Sequence, residues 1–247
     1  MLTLSKLRVM PSILGALVRQ PGKARPGLVH ICNDALLASS RIPSVPAREF
    51  LGEYISVALD NFLPVDGNVR LDELAFVAAL ARKIQPRIVV EIGTFDGNTA
   101  LQLALNTPPE TKIFTLDLPT EGNGGVENDP KDRKFITSAL RVCRRFLGSS
   151  VEHKIIQCHG NSMTYDFTNF TNYGKAQFIF IDAGHSYKCV QNDTEKALRI
   201  LDSGGVIVWQ DYGVEWEGVF QYLVEVSQRL PMIHIAGTSL VVYRSAA

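Results

Sequence analysis

The sequence predicts an α/β protein with a largely parallel sheet, and three observations lead to that prediction. Apolar, strand-like segments alternate with helix-like segments from residue 71 onward. A turn with glycines at both ends, Gly93 to Gly97, joins one strand to the following helix. Only three residues separate the last two strands. Alternating strands and helices imply crossover connections and parallel pairing, whereas a three-residue connection allows only an antiparallel hairpin.

Length and composition set the limits of this interpretation. The chain has 247 residues, of which 46% are hydrophobic, so it can bury a sizeable core in one α/β domain with an extension. Its formal net charge is zero, which argues against broad, nonspecific nucleic-acid binding. The four cysteines (Cys32, Cys143, Cys158 and Cys189) form no C-x-x-C pair, and we expect reduced thiols in a cytoplasmic protein.

The N-terminal segment is basic. Residues 1–26 contain five Lys and Arg residues and no acid, and no apolar run reaches the roughly 18 residues of a membrane span. An ordinary cap helix is the favoured interpretation, with a targeting signal or a basic amphipathic helix on a membrane or partner subunit as alternatives. We expect residues 1–68 to form a helical extension that covers the pocket or builds a homodimer contact, and residues 69–247 to form the α/β domain.

Periodicity predicts each element in order. Apolar residues at helical spacing predict helices at Pro46–Phe62, Leu71–Ile84, Asn98–Leu105, Lys131–Phe146, Val190–Leu201 and Glu217–Arg229. Short apolar, β-branched runs predict strands at Ile88–Ile92, Lys112–Asp117, Val151–Cys158, Ala176–Asp182, Val206–Gln210, Met232–Ala236 and Leu240–Tyr243. Residues 65–68 (VDGN) predict a turn, and residues 21–27 (PGKARPG) a linker or turn.

The glycine turn indicates a nucleoside-binding unit. Gly93 allows a sharp turn with no side chain in a ligand's way, and Gly97 does the same where helix N–H groups are free. The next strand ends at Asp117, whose carboxylate can accept hydrogen bonds from both hydroxyls of a ribose. Asp117 follows the turn by about 20 residues, the separation expected of such a unit.

Charge in the turn favours one kind of cofactor. Asp96 lies inside the turn and Glu91 just before it, so a pyrophosphate would be repelled while a cationic sulfonium would be tolerated. This favours S-adenosylmethionine over NAD. An NAD-dependent oxidoreductase and a catalytically silent cofactor-binding subunit remain the alternatives.

A second group of polar residues follows two neighbouring strands. Asp182 and His185 come after one strand and Asp211 after the next, and the ends of adjacent parallel strands meet at one pocket. Two carboxylates suit Mg²⁺, which would lower the pKa of a bound hydroxyl. His185 is of a type that can accept a proton near neutral pH.

Two motifs carry a resemblance to a known family. EIGTFDGNTA (Glu91 to Ala100) resembles the first motif of class I S-adenosylmethionine-dependent methyltransferases, and residues 178–213 (FIFIDAGHSY…VWQDYG) resemble the small-molecule O-methyltransferases that include the macrocin and mycinamicin enzymes, a methyltransferase family 24-like group. The resemblance implies a Rossmann-like, seven-stranded sheet of order 3-2-1-4-5-7-6, with the last strand antiparallel, and methyl transfer from S-adenosylmethionine to a hydroxyl of a small molecule.

The resemblance also implies roles for particular residues. It implies that His185 and Asp182 are catalytic and that Asp182 and Asp211 hold a divalent metal, although Gln210 and Tyr212 depart from the pattern of metal-dependent relatives. The implied cofactor-binding residues are Glu91, Gly93, Thr94, Phe95, Gly97, Asn98, Thr99, Asp117, Ser162 and Asp182.

Other side chains near these motifs are open to two interpretations. Residues 119–130 form either a mobile lid or a disordered loop. Trp216 can stack on an acceptor at the pocket mouth, whereas buried packing is favoured for Trp209. Asp193 is expected to be a surface charge.

Overall fold

The computed structural model describes residues 37, 40–119, 130–138 and 144–246. In these residues a single eight-stranded sheet lies between two layers of helices. The strands are β1 Ser44–Val45, β2 Ile88–Ile92, β3 Lys112–Asp117, β4 Ile155–His159, β5 Ala176–Ile181, β6 Leu201–Trp209, β7 Met232–Ile235 and β8 Val241–Arg244. The α-helices are α1 Ala47–Leu51, α2 Leu71–Ile84, α3 Asn98–Leu105, α4 Arg133–Ile136, α5 Tyr187–Ile200 and α6 Glu217–Val226. Short 3₁₀ turns occupy Pro130–Asp132, Glu152–Lys154 and Phe167–Tyr173.

The order of the strands confirms the predicted topology. The sheet runs β1-β7-β8-β6-β5-β2-β3-β4, and β8 is antiparallel to both β6 and β7. Without the two-residue β1, this is the predicted seven-stranded order with its terminal hairpin. The additional strand, β1, pairs in parallel with β7 at the edge, with Ser44 opposite His234.

Alternation along the strands divides the core into two layers. Successive side chains of a strand point to opposite faces. Val90 and Ile92 therefore pack in the layer covered by α5 and α6, whereas Val89 packs in the layer covered by α2 and α3. Both faces of β2 are buried, so the turn that follows it rests on a rigid support.

Several predicted boundaries were wrong. The helix predicted at Pro46–Phe62 ends at Leu51, where Gly52 takes a left-handed conformation with φ of 73°. Of the helix predicted at Lys131–Phe146, the described residues contain the helix Arg133–Ile136, while residues 137–138 and 144–146 are not helical and residues 139–143 lie outside the description. A 3₁₀ turn occupies the start of the strand predicted at Val151–Cys158.

The other elements differ only at their ends. Helix α5 begins at Tyr187, before the predicted Val190, and α6 ends at Val226 rather than Arg229. Strand β6 begins at Leu201, five residues before the predicted Val206. The helix at Leu71–Ile84 and the strands at Ile88–Ile92 and Lys112–Asp117 have the predicted bounds.

The predicted N-terminal extension lies partly outside the described residues. Residues 1–36 and the linker at 21–27 are among those not described. Residues 44–45 join the sheet, so part of the predicted extension packs on the domain itself. The division at residue 68 and the homodimer contact stay predictions. Within the described part of the chain, no helix has the length and apolar character needed to cross a bilayer.

An irregular segment replaces the missing helix, and the side-chain amides of Gln102 in α3 and of Asn106 at its C-terminal cap hold it. Gln102 accepts from the N–H of Asp60 at 3.0 Å and donates to its carbonyl at 2.8 Å. Asn106 makes the same pair with Ala58, at 2.9 and 2.7 Å. Gln102 and the C-cap residue Asn106 lie one turn apart, and each satisfies both backbone groups of one residue in this segment.

We predict that Gln102→Ala lowers the free energy of unfolding by about 1–3 kcal/mol, because it leaves the N–H and C=O of Asp60 without these partners. The measurement is urea unfolding followed by circular dichroism. Gln221→Ala is the matched control, since that exposed amide bonds only to the Glu217 side chain of its own helix. Equal, small effects of the two substitutions would contradict the bracing role of Gln102.

Candidate functional site

The carboxyl ends of β2, β3, β5 and β6 open into one cavity of about 990 Å³. This edge of a parallel sheet is where α/β proteins bind ligands. Its walls bring together residues from both motifs of the sequence, among them Gly93, Asp117, Ser162, Asp182, His185 and Asp211.

Gly93 is required by the close approach of two strand ends. Its φ is 103°, and a Cβ built on it would lie 1.8 Å from the backbone oxygen of Asp182. The N–H of Asp182 in turn donates to the Ile92 carbonyl at 2.9 Å. Any side chain at position 93 would therefore push apart the glycine turn and the strand that carries Asp182.

The ten predicted cofactor residues fall into two groups. Five of them, Gly93, Phe95, Asp117, Ser162 and Asp182, line the cavity. The other five are not on its wall: Glu91, Thr94, Gly97, Asn98 and Thr99. Glu91, Thr94, Asn98 and Thr99 are buried behind it, so their side chains support the wall rather than face a ligand. Contact of individual residues with a cofactor stays a prediction.

Glu91 and Thr94 belong to a buried hydrogen-bonded network. Thr115 donates to the Glu91 carboxylate, the Thr94 and Thr115 hydroxyl oxygens lie 2.6 Å apart, and Gln157 donates to Thr94 at 3.1 Å. Burial raises the pKa of Glu91 from 4.5 to about 8, although the Thr115 hydrogen bond lowers it in part. Glu91 is therefore mostly protonated at neutral pH, and its predicted negative charge beneath the turn is not present.

Asp96 also differs from its predicted role. Its carboxylate is 1% exposed and is paired with Arg145 at 2.5 Å, while Asn68 donates to it at 3.0 Å. Its charge is thus neutralised inside the protein instead of facing the cofactor. The electrostatic reason given from the sequence for excluding a pyrophosphate was therefore wrong.

Asp117 stands at the end of β3, on the cavity wall. Its Oδ1 accepts the Leu118 N–H at 2.7 Å, and the Arg144 guanidinium lies 3.6 Å from Oδ2. Arg144 also donates to the Phe95 carbonyl in the glycine turn. Arg144 thus ties the predicted ribose-binding acid to the turn across the sheet edge.

His185 lies at the centre of a group of acids. Its Nδ1 lies 2.6 Å from Asp132 Oδ1, and its Nε2 lies 2.7 Å from Asp211 Oδ2 and 3.9 Å from Asp182 Oδ1. Burial lowers the pKa of His185, but hydrogen bonds to Asp132 and Asp211 and their charges outweigh it and raise the pKa from 6.5 to about 10. The side chain is therefore an imidazolium at neutral pH.

Asp182 is partly buried on the cavity wall beside this imidazolium, with its side chain 16% exposed. Burial, and then the charge of Asp211, raise the pKa of Asp182 well above 3.8, and His185 offsets this in part. With its amide nitrogen turned toward the carboxylate, Gln210 donates to both oxygens of Asp182, at 2.7 and 2.8 Å. Gln210, one of the two departures from the metal-dependent pattern, thus binds the Asp182 carboxylate directly.

Asp211 is held in a conformation that few non-glycine residues adopt. Its φ is 66°, in the left-handed region. Its N–H donates to the Ser239 hydroxyl at 3.2 Å, and that hydroxyl and the Ser239 N–H both donate to buried Glu73, at 2.9 and 2.6 Å. The β7–β8 hairpin and α2 therefore fix Asp211, and backbone strain of this kind is concentrated at functional sites.

The acids fit a hard divalent cation. Ligand atoms of Asp182, His185 and Asp211 lie within 4.8 Å of one another, and carboxylate oxygens are the ligands that Mg²⁺ prefers. With Asp132 included, three carboxylates surround one imidazolium. Negative charge is therefore in excess, which favours the binding of a cation. A cation would have to compete with His185 for Asp211.

Sequence reasoning missed Asp132, Glu73, Arg144 and Arg145. Each acts through a partner far away in the chain, so no local pattern identifies it. The prediction that Asp193 is a surface charge was wrong, because the residue is buried. Burial raises the pKa of Asp193 to about 6.

The two tryptophans differ in their surroundings. Trp209 is 1% exposed and packs in the core as expected. One face of Trp216 is covered by the His185 ring, with centroids 3.8 Å apart, so that face is not open to an acceptor. Most of the predicted lid, residues 120–129, lies outside the described residues.

The turn after β4 is held from α5. Lys196 donates to the carbonyls of Ser162 and Tyr165 at 2.6 and 3.0 Å, and Asn192 donates to Ser162 at 3.1 Å. Ser162, one of the implied cofactor-binding residues, and the adjacent Asn161 both line the cavity. The turn is therefore fixed at the cavity wall.

Fold and site together define a class I methyltransferase domain. Residues 90–212 match the family described as a methyltransferase domain, which identifies this part of the chain as a class I S-adenosylmethionine-dependent methyltransferase domain. The match covers the glycine turn and the whole Asp182–His185–Asp211 group. It does not support the alternative of an NAD-dependent oxidoreductase.

Comparison with known proteins agrees with this assignment. Tapetum-specific methyltransferase 1 of Arabidopsis thaliana is 27% identical over 150 residues, 58% of this chain and 54% of the relative. The tRNA N(3)-methylcytidine methyltransferase Mettl2 of Drosophila melanogaster is 26% identical over 142 residues, 57% of this chain and 39% of the relative. The chain thus matches about half or less of the length of these curated relatives.

A solved structure shows the same fold. The O-methyltransferase TomG of Streptomyces achromogenes, involved in tomaymycin synthesis and crystallised with S-adenosylmethionine, superposes with a TM-score of 0.53. It is 19% identical, and the alignment covers 87% of this chain and 90% of that protein. At this identity the likeness concerns the fold alone.

We predict that Glu91 makes the protein less stable as the pH rises from 4.5 to about 8. In this range an unfolded Glu91 loses its proton, while the folded protein keeps it. Glu91→Gln imitates the protonated form, so it should flatten this dependence and stabilise the protein at pH 8 by about 2–5 kcal/mol. The measurement is urea unfolding at several pH values.

The exposed Glu217→Gln serves as the control for Glu91→Gln. Every other titrating group is common to wild type and Glu91→Gln, so the difference between their pH profiles isolates Glu91. A difference that stays constant from pH 4.5 to 8 would disprove the buried, protonated state.

Proposed function

We propose that this protein transfers the methyl group of S-adenosylmethionine to a hydroxyl group of a small molecule. The observation that carries the proposal is the Asp182–His185–Asp211 group at one cavity with the glycine turn. Pockets of about 300–1,000 Å³ hold a drug-sized ligand, so a cavity of about 990 Å³ has room for the cofactor beside a small acceptor.

The proposal gives the cofactor one orientation in the cavity. On this proposal, Asp117 binds the ribose hydroxyls, and Ser162 and Asn161 contact the adenine. The methionine part then passes over Gly93, which leaves no side chain in its way, and brings the sulfonium toward Asp182. Acids at this end stabilise the positive charge of the sulfonium.

The reaction is an in-line displacement at the methyl carbon. The bond from sulfur to the methyl carbon breaks while the acceptor oxygen bonds to that carbon, and S-adenosylhomocysteine leaves. The hydroxyl proton passes to the group formed by Asp182, His185 and Asp211. His185 is already protonated in the free protein, so the three side chains share the incoming proton as a unit instead of His185 acting alone.

Asp182 and Asp211 are the residues that would hold a divalent cation. When bound, such a cation would lower the pKa of the acceptor hydroxyl and orient it. The protein's own residues still align the acceptor and exclude water, which is the larger part of what a displacement reaction requires.

A small-molecule acceptor is favoured over a nucleic acid. TomG is an O-methyltransferase involved in tomaymycin synthesis, whereas the Drosophila relative is a tRNA methyltransferase. The chain has zero net charge, so it lacks the basic balance that binds phosphate backbones. We also propose a cytoplasmic location, in keeping with the expectation of reduced thiols.

The test is transfer of labelled methyl from S-adenosylmethionine into a small-molecule extract, with purified tRNA as a parallel acceptor. We expect label in a small molecule as a base-stable ether. Loss of label with EDTA, restored by Mg²⁺, would support a metal at Asp182 and Asp211. Label in tRNA alone would overturn the acceptor class, and cofactor binding with no transfer to any fraction would favour a silent cofactor-binding subunit.

We predict that Asp117→Ala weakens S-adenosylhomocysteine binding by about 2–4 kcal/mol, because two charge-assisted hydrogen bonds to the ribose are lost. Isothermal titration calorimetry measures this loss. Asp202→Ala is the control, since Asp202 lies at the opposite end of the sheet, at the start of β6. Unchanged affinity in Asp117→Ala would refute the ribose assignment.

A further inference from the structure

We propose that Asp132 is a positioning residue for the site, one that holds the His185 ring so that Nε2 faces Asp211 and the cavity. The inference rests on the proposed function for its catalytic consequence. The orientation of His185 by Asp132 does not depend on that function, because it rests on observed contacts outside the sequence motifs. Asp132 lies in the 3₁₀ turn before α4, 53 residues from His185 in the chain.

The Asp132 carboxylate binds His185 at two points, the ring and the backbone. Oδ1 of Asp132 lies 2.6 Å from the ring Nδ1, and Oδ2 accepts the backbone N–H of His185 at 3.2 Å. A side chain held at both its backbone and its ring has little freedom to rotate. Because Nδ1 is bonded to Asp132, Nε2 is the nitrogen that faces the other two acids.

Trp216 restrains the plane of the same ring. The rings of His185 and Trp216 stack with centroids 3.8 Å apart and planes 17° apart. The ammonium of Lys131 lies 5.3 Å from the centre of the Trp216 ring and donates to the Glu215 carbonyl at 2.7 Å. Lys131 and Asp132 are neighbours, so one short segment fixes the tryptophan and the histidine together.

The burial of Asp132 shows that this contact is not a surface ion pair. The residue is 3% exposed, and a buried carboxylate is costly unless it is paired and hydrogen-bonded. The pairing with His185 offsets that cost. An acid that orients an imidazole ring is typically worth about 10–100-fold in activity when it supports a metal ligand, and we expect a similar scale here.

The first test compares Asp132→Ala with wild type by measuring turnover, S-adenosylhomocysteine affinity and the temperature of unfolding. We expect kcat to fall by about 10–100-fold, with an affinity within about threefold, because the residues proposed to bind the cofactor are unchanged. We expect added formate to restore part of kcat, since it can replace the missing carboxylate. A purely structural role predicts no rescue by formate.

Lys131→Met is the matched control. It releases the same segment from Trp216 and Glu215 but leaves the carboxylate on His185. We expect a smaller loss of kcat than in Asp132→Ala. Equal losses in the two variants, without formate rescue, would show that only docking of the segment matters and would overturn the proposal.

A second measurement does not need turnover. In ¹⁵N-labelled wild-type protein we expect a protected Nδ1–H signal from the His185 ring, and we expect it to be lost in Asp132→Ala and kept in Lys131→Met. If wild type transfers no methyl group but shows this pattern, the proposed function fails and the positioning role holds. A signal that persists in Asp132→Ala would overturn the positioning role, whatever the activity.

Discussion

The contact between the ends of β2 and β5 sets the geometry of the whole site. The Asp182 N–H donates to the Ile92 carbonyl at 2.9 Å, and a Cβ at position 93 would lie 1.8 Å from the backbone oxygen of Asp182. This backbone contact fixes the distance between the glycine turn, on one strand, and the acids, on the next. Both strands are buried on both faces, so the spacing cannot relax without disturbing the core.

The loops around this contact are braced by arginines rather than by helices. Arg145 pairs with Asp96 inside the glycine turn, and the Arg145 N–H donates to the Asp96 carbonyl at 2.8 Å. Arg144 reaches both the Phe95 carbonyl and Asp117. Two consecutive residues therefore support the turn and the predicted ribose acid. Phe146, packed against Gly97, completes this support, because a side chain at position 97 would lie 2.7 Å from its ring.

The sequence was sufficient for the strands and for the meeting of Asp182, His185 and Asp211, because apolar runs mark buried strands and neighbouring parallel strands end at the same edge. It was not sufficient for Asp132 and Arg145. Their partners lie 53 and 49 residues away, and the helical periodicity predicted for residues 131–146 does not indicate those partners. The segment at 54–62 has helix-compatible apolar spacing, yet the amides of Gln102 and Asn106 bind its backbone and it is not helical, so tertiary contacts outweighed local preference there.

The charges of the site match the charge change of the proposed reaction. Three carboxylates around one imidazolium leave an excess of negative charge, and the sulfonium of the cofactor compensates part of it. Transfer turns the sulfonium into a neutral thioether while the acceptor hydroxyl releases a proton. If the acids and His185 take that proton, positive charge moves from sulfur to the protein and the total charge of the site is constant. Such a site attracts the cationic donor more strongly than the neutral product, which favours release of the product after each turnover.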